Sequence, residues 1–238
     1  MTACESGPTG AGHSRFGRCL YAVLWVLCRT LGVALCGFRA RFAEPLPRRG
    51  GLLLLSSHQS HLDPLLLGLA TDRRLSSLAR SSLYAFKPFA FVITALDAVP
   101  IDREASTVSA MKAVIRRLQG GAAVVVYPEG TRTRDGRLGE LKSGFAILAR
   151  RAGVPIVPVA IVGAFECWPR SRLLPRPGRI RLEFGRVLTA EEVSRMDERE
   201  LHAECTRCIV DLDARARLAR DPHGVASTRR SAPPAGRA

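Results

Sequence analysis

Three short stretches of this sequence are apolar almost without interruption: residues 52–55 within GLLLLSS, residues 122–127 (AAVVVY) and residues 154–162 (VPIVPVAIV). They are too short for ordinary helices, and none alternates apolar with polar, so each reads as a strand covered on both faces. Helical patterns lie between them. Asp63-Pro64 leads into LLLGLA with proline in the first turn, residues 106–118 close on Gly120-Gly121, and residues 143–151 close on Gly153. Further strands are predicted over 75–79, up to Ile101 and over 180–184, with a helix over 83–96 despite Pro88. Thr189 and Glu192 form a capping-box pattern opening a last helix to about Ala219. Strand and helix alternating in this way predict an α/β domain: a mixed, largely parallel sheet flanked by helices. Pro155 and Pro158 each lack an N–H, so VPIVPV reads as an edge or entry strand, lining an apolar groove or simply filling core.

The chain has 238 residues, enough for one such domain with additions. We assign residues 46–220 to it, residues 1–14 to a disordered N-terminus, and residues 221–238 to a disordered basic tail. Residues 15–45 read as an apolar helical segment that associates with a membrane. Its two apolar stretches are broken by Arg29-Thr30, and no run reaches the roughly 18 uncharged residues of a spanning helix. A spanning helix would carry Arg29 near its centre at a cost of about 2.5–3.5 kcal/mol, whereas a helix lying in the interface lets the guanidinium reach the head groups. A secretory signal is a poorer match because no small-residue cleavage site follows, and packing on the core is the plain alternative.

Composition narrows the partners. With 47% hydrophobic and 24% charged residues the chain is neither disordered nor a small disulfide scaffold. Its net charge of +15 favours anionic partners, although lysine occurs only at Lys87, Lys112 and Lys142 and the arginine excess also fits a GC-rich coding sequence. Only 6% of residues are aromatic and they are not interleaved with arginines, which argues against a nucleic-acid groove. Seven scattered cysteines suggest a reducing compartment.

Two polar clusters sit directly after apolar strands, where open α/β sheets place their ligands. The first is Ser57-His58-Gln59-Ser60-His61-Leu62-Asp63. Five residues apart, His58 and Asp63 meet only if the chain bends between them. The carboxylate then holds one imidazole nitrogen and the other accepts a proton. Alternatively Asp63 is a helix N-cap and His58 a loop residue, or His58, His61 and Asp63 are metal ligands lacking a completed shell. The second cluster, Tyr127-Pro128-Glu129-Gly130-Thr131-Arg132-Thr133, is a tight turn whose N–H groups, hydroxyl and arginine suit a phosphate, or an ordinary surface turn. Asp102-Arg103 after a third strand is an acid–base pair, and a surface salt bridge is its plainer explanation. His202, Cys205 and Cys208 have metal-ligand types but drift round a helix and lack a fourth member. There is no G-x-S-x-G elbow, P-loop or G-x-G-x-x-G, which removes support for serine hydrolases, P-loop enzymes and dinucleotide dehydrogenases.

Taken in order, these clusters resemble the four sequence blocks of the glycerolipid acyltransferase family, which includes the bacterial 1-acylglycerol-3-phosphate O-acyltransferases. The blocks are H-x4-D (His58 to Asp63), a block ending in an arginine (residues 98–103), F-P-E-G-T-R (residues 127–132) and V-P-I-V-P-V (residues 154–159). The resemblance covers roughly residues 20–190. Tyr127 stands for the usual Phe, Thr133 for a usual Ser, and Asp97 where many members have Gly. It implies that His58 is the general base, oriented by Asp63, for attack of a glycerol hydroxyl on an acyl thioester. It also implies that Arg103, Thr131, Arg132 and Lys142 hold the acceptor phosphate while Glu129 and Gly130 shape the acceptor site. The implied donor is acyl-CoA or acyl-carrier protein and the acceptor lysophosphatidic acid. No cofactor or metal is implied, and the expected location is an anionic membrane surface on the cytoplasmic face of a bacterial inner membrane. Another acceptor, a thioesterase using water, and a non-enzymatic basic binding protein are the rivals.

Overall fold

The four leucines of residues 52–55 are wholly buried and divide between two cores. In the computed structural model, which describes residues 37–80, 99–101, 107–172 and 174–221, Leu52 and Leu54 face one hydrophobic cluster and Leu53 and Leu55 the other. A strand turns alternate side chains to opposite faces, so this run needs helices on both sides.

The elements follow in the order β1 (Arg39–Phe42), β2 (Leu52–Ser56), α1 (Asp63–Ala70), β3 (Leu75–Arg80), β4 (Val99–Ile101), α2 (Thr107–Gln119), β5 (Ala123–Val126), α3 (Gly144–Ala152), β6 (Ile156–Val162), α4 (Ala164–Cys167), β7 (Arg181–Phe184), α5 (Ala190–Arg195) and α6 (Glu198–Arg220). The seven strands lie in the order β1-β7-β6-β2-β5-β3-β4. All neighbours are parallel except β6 and β7. On one face Leu66, Leu67 and Leu69 of α1 pack with Val157, Val159 and Phe184. On the other, Val114 and Leu118 of α2, Phe145 of α3, and Leu201, Cys205 and Ile209 of α6 pack with Val124 and Ile156. Gly51 admits the chain into β2 against the end of α2: a Cβ there would fall 2.2 Å from the Leu118 carbonyl oxygen.

Four expectations are corrected. β6 is an interior strand between β2 and β7, not an edge. Pro158 is tolerated because it lies at the end of the antiparallel ladder, where its carbonyl still accepts from Gly185 N–H at 2.9 Å and only one donor is lost. The last helix is two helices. Met196 turns extended, and Asp197 opens α6 with its own capping box, accepting from the Arg199 and Glu200 N–H groups at 2.8 Å. The sheet also reaches past the boundary set at residue 46: Phe38 is core and β1 pairs with β7. Asp63 does not cap its helix, as described below. The helix expected over 83–96, most of the N-terminal apolar segment and the tail after Asp221 lie outside the described residues.

Candidate active site

Strands β2 and β5 are parallel neighbours with Leu55 opposite Val126, and His58 and Glu129 each lie three residues further on. The register therefore brings the two loops side by side. The His58 N–H donates to Glu129 Oε1 at 2.7 Å, and the His58 carbonyl accepts from Thr133 N–H at 2.9 Å.

Asp63 is the first residue of α1, yet no side chain caps that helix. Its carboxylate points back into the preceding loop. Oδ2 accepts from Gln59 N–H at 2.6 Å, from Ser60 N–H at 2.8 Å and from His58 Nδ1 at 2.7 Å. A carboxylate only accepts, so Nδ1 carries the hydrogen and Nε2 is left with its lone pair. Asp63 is fully buried while the His58 side chain keeps 19% of its surface exposed, so the pair has one dry end and one open end. The Tyr127 ring lies against the imidazole with centroids 3.9 Å apart and planes 17° from parallel, restricting it further. The Tyr127 hydroxyl and Asp63 Oδ1 are buried with no hydrogen-bond partner among the described residues. Burial, and then the nearby Asp63 charge, push the Tyr127 hydroxyl well above its ordinary pKa, so it stays neutral.

Glu129 is buried and accepts twice, from His58 N–H and, through Oε2, from Gly139 N–H at 2.9 Å. Burial raises its pKa more than these two bonds lower it. It thus shapes the site by joining main-chain segments, and its oxygens do not face outward. The turn beside it is closed by Gly130 N–H to Tyr127 O at 3.0 Å, with Gly130 in the left-handed region at φ 70°. A Cβ at Gly130 would lie 3.1 Å from Lys142 Nζ, so the ammonium sits directly over the turn. Thr131 is exposed, and Arg132 is half-buried and close enough to His61 to oppose its protonation. Lys142, Thr131 and Arg132 are therefore gathered at one turn, as an anion site requires. Arg103 lies outside the described residues.

His61 does not join His58 and Asp63 as a ligand. Its ring is exposed and faces Trp168 at 5.7 Å, and among the described residues no three His, Cys, Asp or Glu side chains converge on a metal position. His202 bonds to the Leu141 carbonyl at 2.6 Å, and Cys205 is core, its thiol pushed by burial up to about 12.

Sequence reasoning passed over Gln59. Buried in the loop between His58 and Asp63, it donates from Nε2 to Gly136 O at 3.2 Å and accepts from Phe165 N–H at 3.3 Å. Ser60 likewise donates from its hydroxyl to Trp168 O at 2.8 Å. The available signal was a run of polar residues directly behind a leucine strand, too far inside the sheet to be solvated.

An α/β sheet that holds a histidine–aspartate pair and a cationic turn at the carboxyl ends of adjacent strands defines a site for proton abstraction beside an anion. The chain belongs to the acyltransferase family, whose family model, described as Acyltransferase, matches residues 37–162. It is 30% identical over 202 residues to the 1-acyl-sn-glycerol-3-phosphate acyltransferase of Pseudomonas aeruginosa, covering 83% of this chain and 71% of that one. The Bacillus subtilis protein of the same name is 27% identical over 174 residues, covering 73% of this chain and 84% of that one. The chloroplast 1-acyl-sn-glycerol-3-phosphate acyltransferase BAT2 of Brassica napus is 32% identical over 117 residues, 48% of this chain; the chain spans about a third of the length of such chloroplast relatives, here 34%. In fold it is similar to the crystal structure of the 1-acyl-sn-glycerophosphate acyltransferase PlsC from Thermotoga maritima, with a TM-score of 0.67, 22% identity, and coverage of 84% of this chain and 83% of that chain.

Proposed function

We propose that this chain transfers a fatty acyl group from an acyl thioester to the free hydroxyl of 1-acylglycerol 3-phosphate, giving phosphatidic acid for phospholipid synthesis. The observation that carries the reading is the His58 Nδ1 to Asp63 Oδ2 bond of 2.7 Å, which turns Nε2 outward as a base beside the Lys142-covered turn. His58 Nε2 takes the hydroxyl proton, the oxygen attacks the thioester carbonyl, the C–S bond breaks as the C–O bond forms, and the thiolate leaves. Thiol pKa values near 8.5 make that departure easy without a protein nucleophile. Asp63 stabilises the imidazolium as it forms. Lys142, Thr131 and Arg132, with Arg103, hold the acceptor phosphate. The donor is acyl-CoA or acyl-carrier protein, and the protein works on the cytoplasmic face of a bacterial inner membrane, anchored by its N-terminal apolar segment.

The test is to incubate purified protein with labelled acyl thioester and lysophosphatidic acid, beside other acceptors, and compare wild type with His58→Ala. Phosphatidic acid made only by the wild type supports the reading. Acylation of a different acceptor alone corrects the substrate, and thiol release without any acylated lipid makes the chain a thioesterase.

A further inference from the structure

The segment after α4 carries chemistry that the acyl-transfer steps leave unused. Residues 168–179 read WPRSRLLPRPGR: four arginines, three prolines and no acid. The segment is fastened down. Trp168 Nε1 donates to Arg172 O at 3.0 Å, Arg172 N–H to Pro169 O at 3.1 Å, Arg176 N–H to Cys167 O at 2.8 Å and Arg176 Nε to Glu166 O at 2.5 Å. It is also joined to the site. The Trp168 carbonyl accepts from the Ser60 hydroxyl at 2.8 Å, and Arg170 is close enough to His61 to oppose its protonation.

What this held segment presents outward is unusual. Leu174 is 74% exposed, the largest exposure among the big apolar side chains described, and Arg170, Arg172, Arg176 and Arg179 are all exposed around it. Among the described residues no ion pair involves Arg170, Arg172 or Arg179. Water is a poor partner for the leucine, and among the described residues no acid pairs with Arg170, Arg172 or Arg179.

We propose that residues 168–172 and 174–179 are a docking surface for an anionic lipid bilayer, which seats the His58–Asp63 loop against the membrane. Leu174 enters the acyl boundary, and the arginines, whose long stems let their charges reach outward, meet the head-group phosphates. An acidic protein would also attract the arginines. The exposed leucine set between Arg172 and Arg176 favours a surface that is apolar below and anionic above. Anchoring here is separate from the N-terminal segment and fixes which end of the sheet faces the lipid. The inference extends the acyl-acceptor reading, because that acceptor is a membrane lipid.

Vesicle binding needs no turnover, so this proposal and the proposed reaction fail separately. The full chain, an Arg170→Gln/Arg172→Gln/Arg179→Gln variant and a Leu174→Asp variant are sedimented with phosphatidylcholine vesicles with and without phosphatidylglycerol. Arg176 is left alone because it bonds to Glu166. Each arginine near an anionic surface contributes roughly fivefold, so the triple variant is expected to bind anionic vesicles about a hundredfold more weakly. It is expected to keep its turnover on a short-chain acceptor dissolved as monomers. Leu174→Asp is expected to weaken binding to both vesicle types. Binding of the triple variant equal to wild type overturns the proposal. Unchanged vesicle binding with a raised KM for acyl-carrier protein alone overturns it too, and reassigns the arginines to an acidic protein donor.

Discussion

The loop after β2 and the turn after β5 leave adjacent strands at the same level and are bonded to each other, but their functional side chains differ in exposure. In the first, one carboxylate oxygen takes three donors, the His58 N–H and C=O are both bonded, and Gln59 and Ser60 are buried and bridged to other segments. In the second, Thr131 and Lys142 are exposed, and the ammonium rests over Gly130. A base needs a fixed direction, because proton transfer fails when the geometry drifts. A phosphate tolerates cations that move to meet it, since charge attraction depends weakly on angle. Buried and exposed side chains are divided between the two loops so that one site has both.

Substitutions in the rigid loop should break this division most severely. His58→Ala is expected to lower kcat by about 10²–10⁴-fold with little change in melting temperature, read by acyl transfer and thermal unfolding together. Glu129→Gln comes next. An amide cannot accept from both His58 and Gly139, and one N–H left facing the NH2 should cost roughly 1–3 kcal/mol of stability in urea unfolding.

Glu129 also supplies a pH test. Its folded pKa is raised from 4.5, so the folded chain binds that proton more tightly than the unfolded one. Stability from this group therefore falls as pH rises from 4.5 through the raised value, and is level beyond it. The Gln variant should lack that slope, and a wild-type slope of the opposite sign would remove the burial argument.

Among the exposed side chains at the turn, Lys142→Ala is expected to raise KM for a phosphorylated acceptor roughly ten- to hundredfold, the range of one charged hydrogen bond, with kcat nearly unchanged. An equal fall in kcat would mean that the ammonium also positions the reacting groups. The smallest effect, and one of opposite sign, is expected for Tyr127→Phe. It keeps the ring against His58 and removes a buried hydroxyl that has no partner among the described residues, and should stabilise the protein by about 1 kcal/mol in thermal melts.

Much of this arrangement was legible in residue order. Uninterrupted Leu and Val runs can only be central strands, and a histidine and aspartate five apart behind one of them can meet only across a bend. The N-cap alternative for Asp63 failed for a reason invisible in spacing: the carboxylate serves N–H groups behind it, at Gln59 and Ser60, instead of those ahead. β1 was missed because Arg39 and Arg41 break its apolar pattern, as an edge strand permits. The break at Met196 was missed because apolar spacing runs on past it, while the Asp197–Glu200 capping box stops one helix and starts another. Pro158 suggested an edge because sequence does not reveal where along its ladder a proline falls.

Among the described residues β1 pairs only with β7, and the Gly37 carbonyl accepts from Arg181 at 2.7 Å across a sequence separation of 144 residues. On the ribosome, at roughly 5–20 residues per second, that partner emerges several seconds to about half a minute after the strand that needs it. Strands β2, β3, β5 and β6 are complete before then, so the His58–Asp63 loop and the Gly130 turn are already synthesised while β1 still lacks its partner. That pairing comes late, before only α5, α6 and the C-terminal residues, and it adds β1 to a sheet whose other strands are already made.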